Sequence, residues 1–187
     1  MADKKAILVS AATVDFAAGD SLKKFAKKAA SVKDFTCGDV LAEAAKVSGA
    51  VSAAPEALAK AFEDDAAFAY CSLGDDQEAG MAQVIEAADR RTLVVLAAEN
   101  GLYFYGLGVK KKGEVERSAA AQDVIPTICY VADLEIPADA TGAVIYQALK
   151  DPNLKMSEIN KLKDAISRME AALQRDNREP WDKHDCA

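Results

Sequence analysis

Continuous apolar runs alternate with helix-spaced apolar positions along most of this chain. The run AILVSAATV, Ala6 to Val14, predicts a first strand. Gly19-Asp20-Ser21 can then open a helix, because Leu22, Phe25, Ala26 and Ala29 recur at helical spacing with lysines on the other face. A second helical stretch, Gly38 to Lys46, presents Val40, Leu41, Ala44 and Ala45. A third follows Pro55, whose fixed φ suits a first helical turn, and buries Leu58, Ala61 and Phe62. The pattern continues with a strand at Ala67 to Leu73, a helix at Glu78 to Ala88 and a strand at Thr92 to Ala98. A short helix at Ile125 to Ala132 follows, with the Asp123 carboxylate as its N-terminal cap. Runs such as ILV and TLVVLAA have no polar face, as expected of strands covered on both sides. The expected fold class is therefore α/β, a mostly parallel sheet with helices on both faces. Ligands of such sheets collect beyond the carboxyl ends of the strands, which places Asp15, Asp75, Asp76, Glu99 and Asn100 around one rim.

The segment from Ser157 to Asp176 differs in kind. Ile159, Leu162, Ile166, Met169 and Leu173 repeat at spacings of three and four, giving a narrow apolar stripe with Ser157 as a cap for its start. Glu158, Lys161, Lys163, Asp164, Arg168 and Glu170 occupy the other faces. Such a seam suits a partner helix and predicts a homodimer; packing back on its own domain is the other reading, since the stripe spans barely two heptads. The expected organisation is an α/β domain over residues 1–150, a C-terminal amphipathic helix over 151–176 and a flexible tail over 177–187.

Composition narrows the setting. With 187 residues, 51% of them hydrophobic and 28% charged, the chain can bury one sizeable core. Cys37, Cys71, Cys129 and Cys186 have no C-x-x-C spacing, and Cys71 and Cys129 sit inside apolar runs as reduced core residues would. MADKK enters a strand at once, leaving no room for a signal peptide, and no apolar run approaches the ~20 residues of a membrane span. A cytoplasmic protein without a membrane is the expectation. A net charge of −7 argues against a nucleic-acid partner, which would reward a basic face.

Four pieces carry a family resemblance: QEAGMAQVIEAADRR (Gln77 to Arg91), TLVVLAAENG (Thr92 to Gly101), LYFYGLGVKKKGEVE (Leu102 to Glu116) and AAQDVIPTICYVADLEIPADATGAVI (Ala120 to Ile145). Together they resemble the closing half of the alkaline phosphatase superfamily, which includes sulfatases, cofactor-independent phosphoglycerate mutase and phosphopentomutase. The most specific piece is the last, where Asp123, Pro126, Thr127, Ile136, Pro137 and Gly142 match a D-x-x-P-T…I-P…G wording. The resemblance covers roughly seventy of the 187 residues and implies a reduced core without the customary insertions.

It also implies where metal ligands should stand, and the chain departs there. Glu99-Asn100-Gly101 replaces an Asp-His-Gly strand end. Glu can still offer oxygen, but Asn offers a neutral amide where an imidazole would bind a borderline metal such as zinc. Asp75-Asp76 should be followed four residues on by His; those positions hold Ala79 and Gly80. The first strand, expected to deliver a ligating Asp, reads Ala11-Ala12-Thr13-Val14 before Asp15, and the stretch Ser31 to Pro55 offers no nucleophile matching the family. The single histidine, His184, is the fourth residue from the end. Carboxylates alone could still hold Mg²⁺, Mn²⁺ or Ca²⁺ weakly, although acidic residues at strand ends also begin turns and cap helices.

Other positions carry weaker chemistry. Lys110-Lys111-Lys112-Gly113 could clamp an anion but reads first as a hairpin turn. Gly106 and Gly108 do not stand between a strand and a helix, as a phosphate loop requires. Trp181, His184 and Cys186 fall in a frayed tail, two of them soft-metal ligands. Two functions remain. One is a non-catalytic alkaline phosphatase-like binding or assembly module that needs no cofactor. The other is a metal-dependent hydrolase or mutase acting on a phosphate or sulfate ester.

Overall fold

The computed structural model describes residues 4–176, and the chain parts into two compact units between Lys150 and Asp151. The first unit is built on β1 (Lys5–Ser10), β2 (Ala30–Val32), β4 (Ala50–Ser52), β5 (Phe68–Ser72), β6 (Thr92–Ala98), β7 (Gly101–Gly106) and β8 (Gly113–Glu114), which form one sheet in the order β4-β5-β1-β6-β7-β2-β8. β3 (Phe35–Thr36) and β9 (Ala119–Ala120) make a separate parallel pair. Only β7 runs against the other strands of the large sheet.

The sequence explains the two-sided burial. Every residue of β6 is buried, and its side chains alternate between two cores. Leu93, Val95 and Ala97 join Ala6 and Leu8 on one face, where α2 (Val40–Ala45) and α5 (Ala121–Ala132) pack. Val94, Leu96 and Ala98 join Ile7 and Val9 on the other, beneath α1 (Asp20–Lys28), α3 (Leu58–Glu63) and α4 (Gln77–Ala87). The α/β class, with helices on both faces of a mostly parallel sheet, is what the chain adopts. Cys71 and Cys129 are buried free thiols; burial pushes Cys71 up to about 12 and Cys129 up to about 11.

Several local expectations need correction. β1 ends at Ser10, and Ala11 to Gly19 form a loop that the apolar Ala11 and Val14 disguise as strand. Helix α5 begins at Ala121, so Asp123 lies inside its first turn and reaches back to accept from the Ala120 N–H at 3.1 Å. Lys110 to Gly113 is not a hairpin turn: β8 pairs with β2 in parallel and β2 separates it from β7. The short strands β2, β3 and β4 were not expected at all; they have two or three residues each, too few to establish a period.

The second unit contains α6 (Leu154–Asp176). Ile159, Leu162, Ile166, Met169 and Leu173 are all exposed, from 44% for Ile159 to 67% for Met169. Residues 177–187, with Trp181, His184 and Cys186, lie outside the described residues. Among those described, no helix is long and apolar enough to cross a membrane.

Candidate functional site

Strands β5, β1 and β6 are adjacent and parallel, so their carboxyl ends form one edge. Asp75 and Asp76 follow β5, Asp15 follows β1, and Glu99 and Asn100 follow β6. The topology thus brings the five expected rim residues to the same edge of the sheet. It does not gather them: among the described residues, no three His, Cys, Asp or Glu side chains come together in a group able to hold a metal ion.

Most of these side chains have local work. The Asp76 carboxylate accepts from Ala79 N–H at 3.0 Å and caps α4. Asp15 accepts from Ala17 N–H at 2.8 Å, closing a turn. Asn100 uses both ends of its amide on Val14: the Nδ2 donates to the Val14 carbonyl at 2.9 Å and the Oδ1 accepts from its N–H at 3.2 Å. This pairing ties the loop after β1 to the end of β6. Gln77 Nε2 adds a bond to the Thr13 carbonyl at 2.6 Å, and Glu99 N–H donates to Ala12 at 2.8 Å. Asp75 and Glu99 are the exposed carboxylates that remain.

Gly19 and Glu78, expected only at helix starts, meet at the same edge. Helix α1 opens on Gly19, which has no capping side chain. Glu78, from the first turn of α4, takes that role and accepts from Ser21 N–H at 2.7 Å and Leu22 N–H at 3.1 Å. Those backbone bonds hold its carboxyl below the ordinary glutamate value. Gly19 is what makes room for it, because a Cβ there would lie 2.1 Å from the Glu78 carboxyl. No short-range pattern announces a cap borrowed from 57 residues away.

The D-x-x-P-T…G wording is structural in this chain. Asp123 accepts from Ala143 N–H at 2.7 Å besides Ala120. The fully buried Thr127 donates to Asp123 O at 2.7 Å and accepts from Ile145 N–H at 2.9 Å. Gly142 lies so close to α5 that a Cβ would sit 1.9 Å from the Gln122 carbonyl oxygen. These residues lock the returning segment onto α5.

The lysine run lies elsewhere. β7 is antiparallel, so it starts at the acidic edge beside Ala98 and ends at Gly106 beside Leu93, at the opposite edge. There Lys110 and Lys111 line a cavity of about 280 Å³ together with Lys28, Tyr105, Gly106 and Val109. Lys112 takes a positive φ of 64° and donates its N–H to the Lys28 carbonyl at 3.0 Å. Comparison with protein-family models, curated proteins and solved structures found no match to this chain.

Proposed function

We propose that this protein is a non-catalytic relative of the alkaline phosphatase superfamily that serves as a binding or assembly module. One observation carries the reading. Asn100 stands where the resemblance asks for a metal-binding histidine, and both halves of its amide are spent on the Val14 backbone. A residue committed in this way holds a loop, and its neutral amide is a poor substitute for an imidazole ligand. The structural roles of Asp123, Thr127 and Gly142 fit the same reading, since the parts of the wording that survive are those that build the fold.

Assembly rests on α6, whose partner we take to be a second copy of the same helix. Monomeric proteins seldom leave a contiguous apolar stripe uncovered. With Ile159, Ile166 and Leu173 at one core position of a heptad and Leu162 and Met169 at the other, Lys163 and Glu170 both flank the seam at the e position. In an antiparallel pair the e positions of the two copies face each other, so each Lys163 meets a Glu170 of opposite charge. Ala165 and Ala172 on the other flank permit close approach.

Elemental analysis of protein purified without chelator or metal-affinity tag tests the catalytic half of the reading, alongside assays with aryl phosphate and aryl sulfate esters. No stoichiometric zinc and no turnover are expected. A tightly held zinc, or turnover that Glu99→Gln abolishes, favours instead a metal-dependent hydrolase or mutase acting on a phosphate or sulfate ester. Thermal scans with millimolar Mg²⁺, Mn²⁺ and Ca²⁺ check for a weak oxygen-ligated ion at Asp75, Asp76 and Glu99, which would raise the melting temperature by mass action.

A further inference from the structure

The cavity at the far edge of the sheet brings together cations that are distant in sequence. Lys28 ends α1, whereas Lys110 and Lys111 lie in the connection between β7 and β8. None of the three has an ion-pair partner among the described residues, although the chain carries a net charge of −7. Three lysines thus line one cavity with no carboxylate paired to them among the described residues, so the cavity carries an excess of positive charge that an anionic guest would offset.

The walls are not free to spread apart. Lys110 N–H donates to the Ala148 carbonyl at 2.9 Å, Lys150 N–H to Gly108 at 3.0 Å, and Val109 bridges to Leu149. From the other side, Lys112 N–H holds the Lys28 carbonyl at 3.0 Å and Leu107 N–H holds the Thr92 carbonyl at 3.0 Å. Gly106, with φ of 96°, approaches the Thr92 carbonyl so closely that a Cβ would lie 2.3 Å from its oxygen. These backbone contacts fix where Lys28, Lys110 and Lys111 leave the chain, which lowers the cost of bringing their side chains together on a ligand.

The remaining wall sets the rest of the guest. Tyr105 is half-buried, steadied by Phe25 with ring centroids 5.6 Å apart, and the buried Val109, from the core on the other face, also lines the cavity. A cavity of about 280 Å³ is just below the ~300–1,000 Å³ of typical small-molecule sites. We propose that this cavity binds a small organic phosphate, its dianionic head held by Lys28, Lys110 and Lys111 and its flat apolar body laid against Tyr105 and Val109. Lysine suits the head because an ammonium binds phosphate as a point charge. The site is at the opposite edge from Asn100 and Glu99, so it stands or falls independently of the catalytic question.

Phenyl phosphate, inorganic phosphate and phenol are the probes, read by isothermal titration and by amide chemical shifts on the full chain. Phenyl phosphate is expected to bind most tightly, to raise the melting temperature, and to shift the amides of Tyr105, Gly106, Val109, Lys110 and Lys111. Lys28→Gln, Lys110→Gln and Lys111→Gln should each weaken it roughly tenfold or more, as the loss of a charged hydrogen bond does. Tyr105→Leu should weaken phenyl phosphate and leave inorganic phosphate alone. Lys23→Gln, on the exposed side of the same α1 and outside the cavity, should change nothing. The proposal is overturned by an absence of saturable phenyl phosphate binding at millimolar concentration. It is equally overturned if Lys23→Gln weakens binding as much as the cavity variants do, or if inorganic phosphate binds as tightly as phenyl phosphate.

Discussion

Thr127 illustrates how a single side chain can hold this fold. Its hydroxyl is fully buried, donates to Asp123 O and accepts from Ile145 N–H, so it joins two turns of α5 to a segment 18 residues later. Thr127→Val keeps the shape but leaves the Ile145 N–H buried without a partner. The expected cost is about 1–3 kcal/mol, the penalty for an unsatisfied buried donor. Urea unfolding reads it as a lower midpoint at unchanged slope, and an unchanged midpoint refutes the role. Glu78 makes a pH-dependent contribution of known sign. Its folded-state carboxyl titrates below its unfolded value because the amides of Ser21 and Leu22 stabilise the anion. Its contribution is therefore fully present above the unfolded value of about 4.3 and is lost as pH falls through the lower folded value. Glu78→Gln should be less stable than the wild type at pH 7, and the gap should narrow in acid. Melting curves between pH 7 and pH 3 that stay parallel would show that the carboxylate does not cap α1.

Elements were legible from sequence where burial itself supplied the pattern. β6 is buried along its whole length and reads as TLVVLAA; α1 alternates Leu22 and Phe25 against four lysines. Elements specified by distant partners were not legible. β2, β3 and β4 exist because other strands present free edges to them, and the loop after Ala11 leaves the β1–β6 ladder and runs to Val14, which Asn100 holds. The site behaved in the same way. The acidic edge followed from strand order alone, whereas the meeting of Lys28 with Lys110 and Lys111 depends on β7 and β2 lying side by side. Helix α6 is the opposite extreme, an element whose pattern is complete in its own sequence. If two copies pair antiparallel, Lys163→Glu places like charges together twice, at a cost of roughly 1 kcal/mol for the two surface pairs. Adding Glu170→Lys should restore the wild-type dissociation constant in sedimentation. A double variant as weak as Lys163→Glu alone would rule out the antiparallel pairing. A dimer unchanged by Ile166→Glu with Leu173→Glu would place the interface outside α6.

For the whole molecule, the residues that bury a core and the stripe proposed to associate lie in different stretches of chain. Every fully buried residue among those described lies between Ala6 and Leu149, and each large aliphatic or aromatic one contributes roughly 1.5–3 kcal/mol of burial. The five apolar residues of the α6 stripe are exposed, so they contribute little to the folding of one chain and become valuable only against a partner. A chain ending at Lys150 is therefore expected to unfold cooperatively, with a denaturant slope close to that of the full chain, because the slope follows the surface exposed on unfolding. Association should vanish with the helix. The full chain's melting temperature should rise with protein concentration, as it does for any dimer in which folding and association are linked, while that of the shortened chain should not. Calorimetry of both chains over a hundredfold range of concentration distinguishes the outcomes. A shortened chain that melts without cooperativity would mean that α6 completes the core. A shortened chain that still shows concentration dependence would mean that the copies meet through the α/β unit.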